Sequence, residues 1–455
     1  MTVNLENEIE RLKADLTGDV LTSENEGYAE ALAVWNAAVS HSPLLIVLPE
    51  NRQDVVKTVL FARQHGIPLS VRGGGHDWAG RAVVADGILI NMRRMNQVLV
   101  DASQKIAIVE GGTLGIEVSR ATEPHKLVAV TPTVGDVGFT GWTLGGGYGP
   151  ISPSSGLGID NVIGAELVLA DGTLVTASKQ QNPELFWAIR GGGGNFGVVT
   201  SLHIQLHEAK PLLSGMILYR GSDAEQVLIR YNELMITAPN ELAVSAGTMF
   251  GPDGQLVAFL APFWFGDQQT GERYLESMKQ FATPLQAQVG LMTYSEVLDL
   301  QSSFIRSGLH WAIQTRWLPT LETDPIQTIV EAVKQSPSPL SFVNIHHFHG
   351  VPATVNSHET PFSMRKPHYM VEIIASWEAK DGRSSQSHHQ HHQWAGKLSE
   401  ALKKGAYPGG YVNLLGPAET EQINQAYGDN LSRLQHVKRT YDPDGVFNSL
   451  TIPGQ

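Results

Sequence analysis

Along residues 50–207, apolar positions alternate between the spacing of helices and that of short strands. Val55, Val56 and Val59 share one helical face, and Gly66 is typical of a helix end. Strands are predicted at residues 68–71, 87–91, 98–100, 105–109, 162–170, 173–177 and 198–206, and a helix is predicted at residues 182–189. Asp171-Gly172 is a hairpin signal, and Asn182 with Pro183 is typical of a capped helix start. This mixture predicts an α+β fold.

The pattern changes over residues 208–405, where glycine thins out and longer apolar runs appear. Strands are predicted at residues 256–265, 310–318, 342–348 and 369–377, with helical stretches at 224–236 and 325–333. These elements indicate a second domain, with a large antiparallel sheet covered by helices. From residue 406 on, the pattern predicts a short strand at 411–414 and an amphipathic helix near 417–441. The chain therefore divides into residues 1–207, 208–405 and 406–455.

Charge and cysteine content exclude several functions. The 455 residues carry 45 acidic against 32 basic side chains, a formal charge of −13, and include no cysteine. Disulfides, iron–sulfur clusters, thiolate zinc sites and a cysteine nucleophile are thereby excluded, and nucleic-acid binding is disfavoured. The first 15 residues are polar and acidic, and no run approaches the ~18 apolar residues of a membrane helix. We therefore expect a cytoplasmic protein without membrane contact, as a monomer or homodimer.

Glycine occurs in three clusters, within residues 72–76, 145–149 and 191–197. Successive glycines let backbone N–H groups converge on an anion such as a dinucleotide pyrophosphate, although glycines can also simply form turns. Gly192, Gly194 and Gly197 match G-x-G-x-x-G, but a predicted helix precedes them and a predicted strand follows. The Rossmann fingerprint needs the opposite order. The clusters thus favour a dinucleotide on a different frame.

Five ordered motifs resemble those of berberine-bridge-enzyme-like FAD-linked oxidases, of the vanillyl-alcohol-oxidase/p-cresol-methylhydroxylase superfamily. Residues 70–76 (SVRGGGH) resemble the flavin-attachment loop, and residues 141–149 (GWTLGGGYG) with 158–162 (GIDNV) resemble the second flavin-binding segment. Residues 183–200 (PELFWAIRGGGGNFGVVT) are similar to the third segment. Residues 411–413 (YVN) and 441–447 (YDPDGVF) resemble the C-terminal signatures.

The resemblance implies a two-part FAD-binding domain of the PCMH type, formed by residues 1–207 and 406–455, with the middle stretch as substrate domain. It implies that His76 is bonded to the flavin 8α-methyl; the alternative is a hydrogen-bonding loop histidine beside non-covalent FAD. The other implied FAD contacts are Arg72, Gly73, Gly74 and Gly75 at the pyrophosphate, Gly141, Thr143, Leu144, Gly145 and Gly146 along the flavin and ribityl chain, and Asp160, Asn161, Val198 and Val199 near the adenosine.

Many relatives add a second flavin bond from a cysteine. The matching position here is Val134 or Thr131, depending on the alignment, and neither is a thiol. Attachment is therefore expected to be single, through His76 alone.

Glu372 is the leading catalytic candidate. In the predicted strand 369–377, Tyr369, Val371 and Ile373 begin an apolar face, and Glu372 lies on the other face. A carboxylate within so apolar a strand is unfavourable without a partner or a task. It could accept a substrate proton as hydride leaves. An exposed or salt-bridged glutamate is the alternative.

Tyr411 and Asn413 are the other catalytic candidates. Sugar-oxidising relatives carry Tyr-x-Asn-Tyr and use the second tyrosine as base, but this chain has Leu414 there. This difference disfavours a carbohydrate oxidase and leaves Glu372 or Tyr411 as base, unless Tyr411 is a core residue. Asn413 is expected to touch the flavin edge or to orient a neighbour.

The leading functional hypothesis is an FAD-dependent oxidase that takes hydride from a C–H bond next to O or N. The substrate would be a small phenol, amine, alcohol or secondary metabolite, and O2 would reoxidise the flavin to give hydrogen peroxide. A dehydrogenase with another electron acceptor, a carbohydrate oxidase and a flavin-binding protein without turnover are the alternatives. A metal site in the histidine run 388–392 is disfavoured, because no acidic residue lies within it.

Overall fold

The computed structural model describes residues 3–378 and 385–454 and is built on three main β-sheets. The first sheet has the strand order β1-β2-β4-β3, in which β2, β3 and β4 are parallel. Its elements are α1 (Val3–Asp15), β1 (Asp19–Leu21), α2 (Tyr28–Leu32), β2 (Leu45–Leu48), α3 (Arg52–His65), β3 (Leu69–Arg72) and β4 (Ile88–Asn91). Helix α3 ends at Gly66, whose φ of 62° fits the predicted stop. Strand β3 leads directly into the first glycine cluster.

The second sheet is antiparallel, in the order β5-β6-β10-β8-β9. Its strands are β5 (Val98–Asp101), β6 (Ile106–Glu110), β8 (Val162–Val168), β9 (Leu174–Ser178) and β10 (Val198–Gln205), while β7 (Leu127–Val128) pairs separately with β11 (His207–Glu208). The helices here are α4 (Gly115–Thr122), α5 (Phe139–Leu144), α6 (Ser152–Ser155) and α7 (Pro183–Ile189). The expected hairpin at Asp171-Gly172 joins β8 and β9. The expected side-chain cap was wrong, because Asn182 donates its amide to the carbonyl of Thr176 instead.

The third sheet has seven antiparallel strands in the order β15-β12-β14-β13-β17-β18-β16. They are β12 (Leu212–Arg220), β13 (Leu242–Phe250), β14 (Leu256–Phe265), β15 (Pro284–Met292), β16 (His310–Leu318), β17 (Phe342–Phe348) and β18 (His368–Trp377). The helices are α8 (Ala224–Ile236), α9 (Gln268–Lys279), α10 (Tyr294–Ser302), α11 (Thr323–Lys334) and α12 (Ser385–Ala401). The odd-numbered residues of β18 lie buried in the core formed with α8, α11 and α12, as predicted.

The C-terminal part returns to the first two sheets through α13 (Thr420–Gln425) and α14 (Leu431–Tyr441). Helix α14 packs on α7, and Phe447 bridges to Leu69 of β3. Two expectations were wrong here. Residues 411–414 form a turn, closed by the Leu414 N–H donating to Tyr411 O at 2.8 Å, and the single predicted helix is interrupted at Gly428, which has a φ of 49°. The domain boundaries at 207 and 405 stay predictions.

No helix in the described part of the chain is both long enough and apolar enough to cross a membrane.

Candidate flavin and substrate site

The first glycine cluster lies backbone to backbone against residues 136–138. A Cβ on Gly74 would collide with the backbone nitrogen of Gly138 and come within 2.9 Å of the carbonyl oxygen of Asp136. Only glycine fits at this close approach. Two loops distant in sequence thus form one surface at the end of β3.

His76 lies at the end of this surface with its ring held on two sides. The ring stacks on Trp35 with centroids 5.2 Å apart, and Trp35 in turn stacks on Trp311 of β16 at 4.4 Å. His76 Nε2 lies 3.1 Å from Asp136 Oδ2, and the side chains are 12% and 43% exposed, respectively. Burial raises the pKa of Asp136, but the contact with His76 lowers it by more. The pKa of Asp136 therefore lies below the ordinary value of an aspartate. Neither Trp35 nor Asp136 was predicted from the sequence.

Several buried polar atoms near the first two clusters have no protein partner among the described residues. They are Arg72 Nε and the hydroxyls of Thr113, Thr140 and Thr143. Buried donors and acceptors are almost always hydrogen-bonded, because an unmade bond is unfavourable. A Cβ on Gly141 would meet nothing within 4 Å, so open space lies in front of this segment. The orphaned donors and acceptors fit a bound polar group such as FAD.

Tyr411 and Asn413 are joined to the second glycine cluster. Asn413 Nδ2 donates to Trp142 O and to Tyr411 Oη, both at 2.9 Å, and the Gly147 N–H donates to Tyr411 Oη at 3.0 Å. A Cβ on Gly145 would collide with the Asn413 amide. Burial is the main cause that raises the pKa of Tyr411, and the charge of Glu372 adds to it. The structure therefore brings these two predicted residues together, by a turn rather than a strand.

Glu372 lies in β18 at the centre of a polar network that crosses three strands. Asn344 Nδ2 donates to Glu372 Oε2 at 2.9 Å, and His346 Nε2 lies 3.2 Å from the same oxygen. His346 Nδ1 is 3.0 Å from Ser245 Oγ of β13. The alternative of an exposed glutamate does not hold, because the side chain is only 14% exposed, whereas the alternative of a paired glutamate fits the contact with His346.

The network keeps Glu372 ionised. Burial raises the pKa of Glu372. The charge and hydrogen bond of His346, together with the hydrogen bond of Asn344, lower this pKa by more than burial raises it. The net pKa lies below the ordinary value of a glutamate. A charged carboxylate is thus held next to Tyr148 and Tyr411, whose pKa values its charge raises.

A mainly aromatic cavity lies between the seven-stranded sheet and the second glycine cluster. Its walls include Tyr148, Trp317, Phe348, Phe362, Met370 and Tyr411. Two histidines also line it, His346 and His368, and burial lowers the pKa of His368 to about 4. His368 is therefore neutral at pH 7, and most of the wall is apolar.

The residues predicted near the adenosine have contacts of their own within the protein. Asp160 forms a two-pronged ion pair with buried Arg365, at 2.8 and 2.9 Å. Asn161 donates to the carbonyls of Ser155 and Leu157, and Leu157 lines the cavity. Val198 and Val199 are buried in β10. The contact of these four residues with adenosine stays a prediction.

The histidine run at the start of α12 packs on Trp377. His391 stacks on its indole with centroids 4.3 Å apart, and His388 meets it edge-on at 5.4 Å. In residues 3–378 and 385–454, no three metal-binding side chains are grouped so that they could hold an ion.

Comparisons with known proteins agree with this geometry. Residues 43–178 match a family model described as an FAD binding domain, and residues 410–451 match one described as berberine and berberine like. An FAD-linked oxidoreductase of Dictyostelium discoideum is 31% identical over 92% of this chain and 90% of its own length.

Solved structures agree as well. That of 6-hydroxy-D-nicotine oxidase from Arthrobacter nicotinovorans has a TM-score of 0.86 at 26% identity and covers 97% of this chain and 99% of its own. That of a berberine bridge enzyme variant in complex with (S)-reticuline has a TM-score of 0.85 at 22% identity, covers 100% of this chain and 99% of its own, and supports the fold. The glycine surface and the orphaned polar atoms agree with the similarity to these proteins over nearly the full length. This chain therefore belongs to the berberine-bridge-enzyme-like FAD-linked oxidoreductases and uses FAD as its cofactor.

Proposed function

We propose that this enzyme is an oxidase for small aromatic phenols or amines. It takes hydride from a C–H bond next to O or N, and O2 is the final electron acceptor. The observation that carries this proposal is the Glu372 carboxylate, which is buried and held ionised by Asn344 and by His346, a residue that lines the aromatic cavity.

The aromatic walls of the cavity support an aromatic substrate over a sugar, and the cavity, with a volume of about 10 Å³, has to widen before a substrate enters. A sugar needs many hydrogen-bonding groups around it, whereas the cavity is lined mainly by Trp317, Phe348, Phe362 and Met370. Neutral His368 places no positive charge against a cationic amine. The relative named 6-hydroxy-D-nicotine oxidase supports the same class, since a hydroxylated nicotine combines an aromatic ring with an amine.

Glu372 is the base in this proposal. When bound, FAD supplies the hydride acceptor. The Glu372 carboxylate takes the proton from the substrate O–H or N–H, which raises the electron density at the neighbouring carbon. Tyr411 is protonated at neutral pH because its pKa is raised, so it serves as a hydrogen-bonding group. Asn413 holds the Tyr411 hydroxyl against the second glycine cluster.

His76 is the proposed single attachment point of the flavin. It is the histidine that ends the glycine loop, and its ring is fixed by Trp35 and Asp136. The two positions considered for a second, cysteinyl bond are Thr131 and Val134, and neither carries a thiol. An imidazole is nucleophilic when neutral, which suits it to this bond.

A substrate screen that follows both flavin reduction and peroxide tests the proposal. Aromatic amines and phenols should bleach the flavin anaerobically, and admitted O2 should restore its colour with one peroxide per turnover. Bleaching without recovery in O2 would identify a dehydrogenase. A response to oligosaccharides alone would overturn the substrate class.

A further inference from the structure

Asp136 is the carboxylate that faces the attachment histidine. Its Oδ2 lies 3.1 Å from His76 Nε2, and its other oxygen, Oδ1, is buried without a partner among the described residues. The backbone of residues 136–138 is fixed against Gly74, two residues before His76, by the close approach described above. The position of Asp136 relative to His76 is therefore set by backbone contact between the two loops.

The orientation of the His76 ring is fixed independently. Trp35 stacks on the ring with an interplanar angle of 15°, and the backbone N–H of Trp35 donates to the carbonyl of Gly75 at 3.0 Å. Trp311 backs Trp35 from β16. With the ring plane held in this way, Nε2 faces the carboxylate, and Nδ1 is the other ring nitrogen.

The contact of Asp136 with Nε2 alone makes the two ring nitrogens of His76 chemically different. A neutral imidazole has one N–H and one nitrogen with a free lone pair, and a carboxylate accepts only from the N–H. The hydrogen bond made by one ring nitrogen sets the state of the other. Asp136 at Nε2 therefore favours the tautomer in which Nδ1 has the lone pair and is the nucleophile.

We propose that Asp136 is the positioning residue for flavin attachment: it selects the Nδ1 nucleophile of His76 and stabilises the imidazolium formed when Nδ1 is alkylated. This inference rests on the proposed covalent link. Asp136 acts through His76 and has no part in substrate oxidation.

The attachment step balances with O2 as the oxidant. A C–N bond forms between Nδ1 and the flavin 8α-carbon, while one C–H bond at that carbon breaks. The imidazolium then releases its Nε2 proton, with Asp136 as the adjacent carboxylate. The bond formation leaves two electrons on the flavin, and O2 takes them together with two protons as hydrogen peroxide.

The test measures covalent flavin in the full-length protein by intact mass. Unlinked wild type, Asp136→Asn and Asp171→Asn are incubated with FAD and O2, and the heavier species is followed over time. We expect Asp136→Asn to attach flavin at least about tenfold more slowly than wild type. Asp171→Asn, which changes an exposed hairpin carboxylate, should match wild type. Thermal unfolding and FAD binding are measured in parallel, so that a misfolded variant is recognised.

A second measurement separates this role from a merely structural one. In loaded protein, the ring nitrogen that carries the flavin is identified by NMR of the flavin peptide released by proteolysis. Wild type should be linked through Nδ1 alone, whereas Asp136→Asn, which no longer fixes the tautomer, should give both Nδ1 and Nε2 links. Equal attachment rates, or an Nδ1 link alone in Asp136→Asn, would overturn the role of Asp136 alone. A wild type that never links flavin would instead overturn the covalent link and this inference with it.

Discussion

The two ends of the site are built in opposite ways. The attachment region, residues 72–76 with Trp35 and Asp136, consists of glycine backbone from two loops around one histidine. The cavity region, Ser245, Asn344, His346 and Glu372 with Tyr411, consists of side chains from three strands and a turn. The first region joins loops far apart in sequence through close backbone contact, while the second exists only once the sheet has its register.

The carboxylates of the two regions, Asp136 and Glu372, differ in exposure and in the number of their partners. Asp136 is 43% exposed and contacts one histidine, whereas Glu372 is 14% exposed and contacts both Asn344 and His346. Burial strengthens electrostatic interactions. Changes in the cavity region should therefore alter proton transfer more strongly than changes in the attachment region do. Changes in the attachment region should alter how the cofactor is held. The predictions below test this division.

The largest effect is expected at His76. His76→Ala removes the nucleophile, so covalent flavin should be absent, while the cavity region is untouched. Intact mass and the colour of acid-precipitated protein measure the loss. The exposed His125→Ala serves as the control and should keep its flavin. Covalent flavin in His76→Ala would place the attachment elsewhere.

Glu372→Gln should leave the flavin attached and remove the base. Because general-base catalysis contributes roughly 10²–10⁴-fold, kcat/KM should fall by about that factor. Anaerobic flavin reduction by an aromatic amine or phenol measures it. Glu378→Gln, which changes an exposed residue just beyond β18, is the matched control. Wild-type reduction rates in Glu372→Gln would remove Glu372 from the mechanism.

The ion pair of Asp160 and Arg365 joins the segment 158–162 to the residues just before β18. Both side chains are buried, and losing one partner of a buried pair leaves an uncompensated charge, which costs about 3–5 kcal/mol of unfolding free energy. Asp160→Asn should show this loss in denaturant unfolding. Asp171→Asn, on the surface, should change stability by no more than about 0.5 kcal/mol. A small loss in Asp160→Asn would mean that this ion pair contributes little.

The smallest effect is a shift in pH dependence. The pKa of Glu372 is lowered in the folded enzyme, so turnover should be constant at neutral pH and fall only as the pH drops through that lowered pKa. His346→Gln removes the largest of the contacts that lower this pKa, so the acid limb of kcat/KM should move to higher pH by about one unit. The exposed His436→Gln should not move it. An unmoved limb in His346→Gln would separate the histidine from the base.

Much of this architecture is predictable from the sequence because its signals are periodic. The strands at 256–265 and 310–318 have the predicted bounds, and the alternation around Glu372 identifies both its apolar neighbours and its own face. The turn at 411–414 was missed because four residues carry too little alternation to tell a strand from a turn. Contacts with Gly145 and Gly147 fix its shape instead.

The missed site residues share a physical reason. Trp35, Asp136 and Ser245 are single side chains without a local pattern, and each becomes significant only through a partner far along the chain. His346 could be placed on one face with Asn344, but its contact with Glu372 depends on the pairing of β17 with β18. Side-chain networks across strands are thus less predictable than glycine loops.

The most direct test of the division between the two regions is a comparison of acid-precipitated wild type and Glu372→Gln by visible spectrum and intact mass. Both pellets should be yellow and heavier by one FAD, although Glu372→Gln turns over roughly 10²–10⁴-fold less efficiently. A colourless wild-type pellet with free FAD in the supernatant would contradict covalent attachment at His76. A Glu372→Gln protein without linked flavin would contradict the separation of cofactor attachment from proton transfer.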